Sequence, residues 1–211
     1  MHAKPRLVLG TANRKKAEEL AALYQPAGVE ILTLADLPEA IVVEETGRTF
    51  AENARLKAAQ EARHLGQWVL ADDSGLMVDA LSGAPGVFSA RYSGPDATDQ
   101  SNNQRLLSEL QGVPLQKRDA RFVCHMALAD PSGAIRAQSE GVCRGRILFE
   151  PRGTRGFGYD PLFEVVEYHR SFAELGEAVK SCLSHRSRAA RAMIPALVAL
   201  MSVASPPGLG R

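Results

Sequence analysis

Asp72 and Asp73 form a pair of adjacent carboxylates that directly follows the apolar run Trp68–Ala71. The apolar run predicts a buried strand, and we expect this strand to end at the two acids, at the rim of a sheet. At such a rim a metal ion or a substrate can reach the carboxylates. Because adjacent like charges repel, we expect a divalent cation or a basic cluster from elsewhere in the chain to offset them.

Glu44 and Glu45 are a second pair of adjacent acids, and together with Asp72 and Asp73 they provide a set of oxygen ligands. Mg²⁺ prefers oxygen, keeps several waters, and needs only one or two protein carboxylates when a substrate supplies phosphates. The sequence has no tight cluster of histidines and cysteines, which argues against catalytic zinc. A solvated turn is the alternative interpretation for Glu44 and Glu45.

The joint between the first predicted strand and the following helix, residues 10–16, has the character of an anion site. Backbone amides at a helix N-terminus attract anions, Thr11 and Asn13 add side-chain hydrogen bonds, and Lys16 can turn back toward a phosphate. The spacing is not that of a P-loop. As an isolated pattern, this joint is also typical of a capped helix with a solvated lysine face.

Two later segments combine small, aromatic and basic residues. In residues 156–160, two glycines allow the backbone to approach a ligand closely, and the aromatic between them can stack on a base. A turn with two anchoring aromatics is the alternative. Ser184 predicts a helix N-cap that places the donors His185 and Arg186 in the first turn. There they can read a carbonyl oxygen of a ligand, or they can be ordinary surface residues.

Asn53 and Lys57 lie four residues apart on a predicted helix, so they share a face of that helix. A lysine in this setting is ordinarily a surface residue. It becomes a candidate site residue if its face of the helix points toward Asp73.

The elements around these residues predict an α/β sheet, because strand and helix signals alternate with short joints. Asn13 caps the first helix, Thr49 and Glu52 form a capping-box pattern at the second, and Gly66 is placed to end it. The predicted order is strand 7–10, a helix after residue 13, strand 30–34, helix 49–65 and strand 68–71.

The second half of the sequence mixes a long loop, a hairpin and helices. Residues 82–98 are rich in glycine and proline and predict a long ordered loop, after which Thr98 caps a helix to Leu110. We expect a single domain over residues 1–203 and a disordered tail at 204–211. The remaining predicted elements are strands 121–129, 134–142 and 146–149 and helices 172–175 and 186–203.

Composition argues against several classes of function. The 211 residues include 25 basic and 24 acidic side chains, and this net charge of +1 gives no sign of a nucleic-acid partner. The longest apolar segment, residues 192–204, is too short for a membrane span and contains Pro195. The three cysteines have no CxxC spacing, which predicts reduced thiols in a cytoplasmic protein.

Six motifs, in this order, resemble the inosine triphosphate pyrophosphatase family, whose members hydrolyse noncanonical purine nucleoside triphosphates such as ITP, dITP and XTP. The resemblance extends from Thr11 to Arg186, which is nearly the whole chain. Each motif alone is modest, but six in register are highly specific. They lie at residues 11–16, 44–57, 71–76, 83–92, 156–161 and 180–186.

The resemblance implies an elongated mixed α/β sheet with two lobes, an active site in the cleft between them, and a homodimer to which residues 83–98 contribute. It implies Mg²⁺-dependent hydrolysis to the monophosphate and pyrophosphate, with Asp73 as proton acceptor and metal ligand and with Glu44 or Glu45 as a further ligand. The substrate-binding residues that it implies are Thr11, Ala12, Asn13, Arg14, Lys15, Lys16 and Lys57 for the triphosphate, Ser74, and Phe157, Gly158, Tyr159, Asp160, Lys180, His185 and Arg186 for the nucleoside.

One departure from the family pattern concerns Lys180. Family members often carry acidic residues just before the equivalent lysine, whereas Ala178 and Val179 stand there in this chain, which weakens local pairing. Two alternative functions stay open. One is a related nucleotide pyrophosphatase of the septum-inhibitor type, acting on modified pyrimidines or dTTP. The other is a non-catalytic nucleotide- or RNA-binding module, although phosphate binding alone needs no paired acids.

Overall fold

The computed structural model describes residues 4–25 and 28–203, and these residues divide into two compact units. Of the described residues, the first unit contains those from 4 to 73, from 125 to 140 and from 189 to 203; the second contains residues 74–124 and 141–188. No described helix is both long and apolar enough to cross a membrane. The predicted tail at 204–211 lies outside the described residues, and the domain boundary at residue 203 stays a prediction.

Strands of both orientations form one mixed sheet in the described part of the chain. The strands are β1 (Arg6–Leu9), β2 (Glu30–Thr33), β3 (Trp68–Val78), β4 (Asp119–Ala129), β5 (Ile135–Ile147), β6 (Phe163–Val165) and β7 (Arg170–Ser171). Their order across the sheet is β2-β1-β3-β4-β5-β6-β7. β1 pairs in parallel with β2 and β3, whereas β6 pairs antiparallel with β5 and β7. The predicted mixed α/β class is therefore confirmed.

Most of the described helices begin close to where the sequence signals place them, but the helix over residues 177–183 was not predicted. The helices are α1 (Arg14–Tyr24), α2 (Phe50–Leu65), α3 (Asp99–Glu109), α4 (Phe172–Leu175), α5 (Glu177–Leu183) and α6 (His185–Val203). The Asn13 side chain caps α1 by accepting from the Lys16 amide, and the Thr49 hydroxyl caps α2 by accepting from the Glu52 amide. α2 ends at Gly66, whose φ of 62° is the left-handed conformation that glycine adopts readily.

Strand β3 does not end at the acids, so this expectation from the sequence was wrong. It continues through Asp72 and Asp73 to Val78, and the two carboxylates lie in mid-strand with 1% and 6% of their surface exposed. Gly75 permits this continuation, because a Cβ atom there would lie 2.3 Å from the Ser89 hydroxyl oxygen. Buried Leu76 and Val78 then extend the strand.

The separate strand predicted at residues 146–149 was also wrong, because β5 runs without a break to Ile147. Gly145 interrupts the alternating pattern in the sequence. In the structure, a Cβ atom at Gly145 would lie 2.2 Å from the backbone oxygen of Glu164 in β6. The glycine therefore marks a close approach of two strands and not the end of one.

Each unit has its own hydrophobic core, and the two cores differ in the size of their side chains. The first unit packs small residues of α2 against β3, whereas the second packs larger aromatic residues such as Phe122, Phe163 and Phe172. The Phe122 and Phe163 ring centroids lie 4.6 Å apart. Small residues allow a helix to lie close to a sheet, which matters for the side chains that α2 presents to β3.

Candidate active site

The first unit gathers carboxylates, lysines and an amide around the middle of β3, and we call this group the acid–lysine cluster. Asp73 accepts a hydrogen bond from the Asn53 amide nitrogen at 3.0 Å, and its other oxygen lies 3.7 Å from the Lys57 ammonium. Lys57 also donates to Glu45 at 2.8 Å. The members of the acid–lysine cluster are Lys16, Glu45, Asn53, Lys57, Asp72 and Asp73.

The alanine stripe of α2 explains how Asn53 and Lys57 reach Asp73. Ala54, Ala58 and Ala62 recur every four residues and are fully or almost fully buried in the first core, which also contains Val69 and Ala71 of β3. Each of the two polar residues directly precedes one of these alanines, so both lie along one edge of the buried stripe. The condition that the sequence set for Lys57 is therefore met.

The protonation of Asp73 reflects a balance between burial and nearby charge. Burial raises the pKa of Asp73 above its ordinary value of 3.8, and the Glu45 carboxylate adds to this rise. The Lys57 charge, the hydrogen bond from Asn53 and the Lys16 charge act in the opposite direction without cancelling it. Asp73 is consequently more basic than an exposed aspartate, which improves it as a proton acceptor.

Lys57 carries the positive charge that lies among these acids. Burial on its own would lower the pKa of Lys57, but the carboxylates of Asp72, Asp73 and Glu45 outweigh burial and raise that pKa above 10.5. The ammonium is therefore charged at neutral pH. A fixed cation beside a basic carboxylate suits the binding of a polyanionic substrate next to a proton acceptor.

The joint before α1 contributes one side chain to the acid–lysine cluster. The Lys16 ammonium lies 3.2 Å from the Asp72 carboxylate, which has no exposed side-chain surface. Arg14 instead pairs with Glu18 on the exposed face of α1. The other predicted phosphate-binding residues of this joint lie at the surface or half-buried: Thr11, Ala12, Asn13 and Lys15.

The carboxylates of the acid–lysine cluster are the described side chains to consider as ligands for a divalent cation. Among the described residues no three histidine, cysteine or acidic side chains converge as a ready-made metal cage. Glu45 and Asp73 nevertheless share Lys57 as a common neighbour, and Mg²⁺ needs only one or two carboxylates beside substrate phosphates. The donor set therefore fits. Glu44, the other predicted ligand, is exposed, whereas Glu45 is half-buried and engaged in the cluster.

The second unit holds a different group, which we call the aromatic–basic cluster. Lys180 lies 4.3 Å and the Arg186 guanidinium 5.7 Å from the centroid of the Phe157 ring. Arg186 also donates to the Ser74 hydroxyl at 3.1 Å. The members of the aromatic–basic cluster are Ser74, Phe157, Gly158, Tyr159, Asp160, Lys180, His185 and Arg186.

Asp160 organises the centre of the aromatic–basic cluster. Its carboxylate accepts from the buried Lys180 ammonium at 2.7 Å and from the Phe157 amide at 3.0 Å. Asp160 thus supplies an acidic partner for Lys180, in place of the acids that Ala178 and Val179 do not provide. Gly156 is required here, because its φ is +78° and a Cβ atom would lie 2.1 Å from the Asp160 carboxylate.

His185 and Arg186 occupy the first turn of α6, as the Ser184 cap predicts. The Ser184 hydroxyl accepts from the Ser187 amide at 3.2 Å. His185 stacks on Phe122 with centroids 4.8 Å apart and 12° between the ring planes. Both residues are buried, so the interpretation as ordinary surface residues is wrong.

One member of these clusters, Asn53, and one residue that contacts a member, Phe122, were not predicted from the sequence to belong to a site. Asn53 was noted only for sharing a helix face with Lys57, and that spacing is the signal that identifies it. Phe122, which orients the His185 ring, lies in β4 and carries no local signal. Only its position in the folded second unit reveals it.

The comparison with protein families identifies the class to which this chain belongs. The sequence profile of the Ham1 family matches residues 7–196. The chain therefore belongs to the Ham1 family, in agreement with the resemblance noted from the six motifs.

Individual relatives and solved structures support this membership over nearly the whole chain. A dITP/XTP pyrophosphatase of Rhodopirellula baltica is 52% identical over 195 residues, which cover 92% of this chain and 94% of the relative. One of Desulforamulus reducens is 51% identical over 184 residues, covering 87% and 91%. The solved Ham1 protein of Coxiella burnetii is 38% identical, with a TM-score of 0.84 and coverage of 92% of this chain and 99% of that one.

Proposed function

We propose that this protein hydrolyses noncanonical purine nucleoside triphosphates, ITP, dITP and XTP, to the monophosphate and pyrophosphate in the presence of Mg²⁺. Two relatives at about half identity bear the name dITP/XTP pyrophosphatase, which supports the substrate class. The observation that carries the proposal is Asp73, a buried carboxylate with a raised pKa that lies between the Asn53 amide and the Lys57 ammonium.

In the proposed reaction, a water molecule attacks the α-phosphorus while Asp73 takes its proton. A new bond forms between the water oxygen and phosphorus, the bond from phosphorus to the oxygen bridging the α- and β-phosphates breaks, and pyrophosphate leaves with that oxygen. Asn53 holds the Asp73 carboxylate in place by donating to one of its oxygens. Lys16 and Lys57, with the amides at the start of α1, stabilise the negative charge of the triphosphate.

Glu45 and Asp73 are the residues that we propose hold Mg²⁺, with Glu44 as the less suited neighbour because it is exposed. When bound, the metal neutralises phosphate charge and supplies Lewis-acid polarisation of phosphoryl oxygens. Lys57 lies beside both carboxylates and limits their mutual repulsion before the substrate arrives.

The aromatic–basic cluster is proposed to select the nucleoside. Hypoxanthine and xanthine carry a 6-keto acceptor where adenine carries an amino donor, and His185 and Arg186 can donate to an acceptor. Adenine would set donor against donor, at a cost of about 1–3 kcal/mol for each buried donor left without an acceptor. Phe157 provides an aromatic surface on which a base can stack.

The assembly and location of the enzyme follow as further parts of the proposal. We infer a homodimer that uses residues 83–98, where the Phe88 side chain is 56% exposed. The absence of disulfides among the three described cysteines is compatible with a cytoplasmic location. The molar mass measured by light scattering tests the dimer directly, and a monomer at micromolar concentration contradicts it.

The substrate and the bond cleaved can be tested in one assay. The purified protein is incubated with Mg²⁺ in ¹⁸O-labelled water and separately with dITP, ITP, XTP, GTP, dATP and dTTP. We expect pyrophosphate release from the first three, with the label in the monophosphate because water attacks the α-phosphorus.

Four outcomes would overturn the proposal. Orthophosphate as product, or label in the pyrophosphate, contradicts attack at the α-phosphorus. Preference for dTTP would identify an enzyme of the septum-inhibitor type. Absence of turnover with every triphosphate would favour a nucleotide- or RNA-binding module.

A further inference from the structure

Side chains of helix α3 form hydrogen bonds with both backbone polar groups of one residue in the aromatic–basic cluster, Gly158. The Asp99 carboxylate accepts from the Gly158 amide at 2.8 Å, and the Asn103 side-chain amide donates to the Gly158 carbonyl oxygen at 3.0 Å. Asp99 and Asn103 lie four residues apart and so share a face of α3. None of the six sequence motifs includes either residue.

We call the two hydrogen bonds from Asp99 and Asn103 to Gly158 the clamp. Gly158 is the residue of the loop 156–160 whose backbone most needs such a restraint. Its φ is +60°, a region that glycine enters at little cost but leaves as easily, because no Cβ restricts it. It lies directly between Phe157, on whose ring Lys180 lies, and Tyr159. Two side-chain hydrogen bonds to Gly158 therefore select one orientation for the aromatic residues on either side.

Asn102, the residue of α3 before Asn103, stabilises the segment that accepts a hydrogen bond from Tyr159. The Tyr159 hydroxyl donates to the Ser89 carbonyl oxygen at 2.9 Å. The segment around Ser89 is held by Asn102, whose amide nitrogen donates to the Ala90 carbonyl at 3.2 Å and whose oxygen accepts from the Ser93 amide at 2.8 Å. One helix therefore fixes the backbone of Gly158 and the acceptor for Tyr159.

A cavity beside the clamp leaves one side of the loop without side-chain packing that could hold it in the same way. A cavity of about 510 Å³ lies between α3 and residues 151–161, and its lining includes Asn103, Phe157 and Gly158. Asn103 is nine-tenths buried, and in the described part of the chain its side-chain oxygen accepts no hydrogen bond. Because the cavity leaves this side of the loop open, its backbone is held there by the hydrogen bonds from α3, in addition to the one from the Phe157 amide to Asp160.

We propose that Asp99 and Asn103 are positioning residues that set the orientation of Phe157 for nucleoside recognition. They act through Gly158 and do not themselves contact the substrate. The inference rests on the proposed function, because it assigns these residues to substrate selection by the same site.

The test compares Asp99→Ala and Asn103→Ala with the matched control Gln104→Ala, which changes an exposed residue of the same helix and cavity lining. For each clamp variant we expect KM for dITP to rise about five- to tenfold, which corresponds to loss of one hydrogen bond, while kcat stays within about twofold. Asp99→Asn retains an acceptor for the Gly158 amide and should restore a KM close to that of the wild type.

Double variants separate positioning from a general loss of stability. In a Phe157→Ala background, Asn103→Ala should raise KM by less than about twofold, because the residue through which it acts is gone. The same five- to tenfold rise in both backgrounds, or an unchanged KM in the single variants, would overturn the inference.

A readout that needs no turnover keeps this inference separate from the proposed function. We expect exchange of the Gly158 amide hydrogen, followed by NMR in the intact protein, to accelerate in Asp99→Ala and to stay unchanged in Gln104→Ala. An unchanged exchange rate in Asp99→Ala would contradict the clamp even in an active enzyme. Lack of turnover by the wild type together with accelerated exchange would contradict the proposed function and leave the clamp intact.

Discussion

The acid–lysine cluster and the aromatic–basic cluster solve different physical problems with similar residues. In the first, the two lysines face three carboxylates, so that their charges leave an excess of one negative charge. In the second, Asp160 is the acid and Lys180 and Arg186 are the bases, which leaves an excess of one positive charge. The arrangement of the first cluster adjusts the pKa of Asp73. The arrangement of the second fixes the orientation of the side chains proposed to contact the nucleoside.

The difference extends to the way in which each cluster is held. Most side chains of the acid–lysine cluster come from strands and helices, with Asp73 in mid-strand and Lys57 on a helix packed through alanines, whereas Glu45 lies in the irregular segment before α2. The aromatic–basic cluster instead relies on a glycine-containing loop whose backbone is hydrogen-bonded by Asp160 and by α3. We therefore expect substitutions that change charge in the acid–lysine cluster to lower the rate of hydrolysis. Substitutions that change side-chain orientation in the aromatic–basic cluster should lower substrate selectivity.

Asp73→Asn should produce the largest effect. The amide cannot accept the proton of the attacking water, so we expect kcat for dITP to fall by about 10²–10⁴-fold while KM changes little. Asp119→Asn, which removes an exposed aspartate, is the matched control and should retain full activity. Activity within a few-fold of the wild type in Asp73→Asn would contradict the role assigned to Asp73.

Lys57→Gln should change substrate binding and the pH profile together. Loss of a charged donor to phosphate corresponds to about 1.5–3 kcal/mol, so KM should rise about 10- to 150-fold. Lys57 is the strongest of the influences that lower the pKa of Asp73, so its removal should move the acidic limb of kcat to higher pH. Lys117→Gln, at an exposed site, should leave both quantities unchanged. An acidic limb that stays in place would contradict the coupling of Lys57 to Asp73.

The smallest effect concerns stability. The folded protein raises the pKa of Asp73 above 3.8, so folding disfavours the ionised form and the cost is present once the pH exceeds that raised pKa. Asp73→Asn should therefore melt at a higher temperature than the wild type at pH 8, and the difference should shrink as the pH falls toward 4. Thermal unfolding followed by circular dichroism measures both. A lower melting temperature for the variant at pH 8 would show that Asp73 stabilises the fold.

Local signals were enough to predict most helix starts, the end of α2 and most of the residues that the structure gathers into the two clusters. Asn13, Thr49 and Gly66 act as caps because their side chains or backbone conformations serve groups within a few residues of themselves. The extent of β3 could not be predicted in this way. The sequence predicts that the strand ends at Asp72 and Asp73, and the close approach of the Ser89 hydroxyl to Gly75, fourteen positions away, is visible only in the structure.

Contacts between residues that are distant in the sequence could not be predicted for the site either. The sequence indicates that the two residues directly before Lys180 are not acidic, but it does not show that Asp160, twenty residues earlier, provides an acidic partner. Likewise the spacing of Asn53 and Lys57 defines a shared helix face, whereas its direction toward Asp73 depends on the packing of α2 against β3.

We assign catalysis to the acid–lysine cluster and nucleoside selection to the aromatic–basic cluster. The most direct test of this assignment is the ratio of kcat/KM for dITP to that for dATP, determined in parallel for Lys57→Gln and Arg186→Ala. We expect Lys57→Gln to lower both constants equally and to leave the ratio within about twofold of the wild type. Arg186→Ala removes a buried donor and should reduce the ratio by about 5- to 150-fold. A ratio that changes in Lys57→Gln and stays constant in Arg186→Ala would contradict the account.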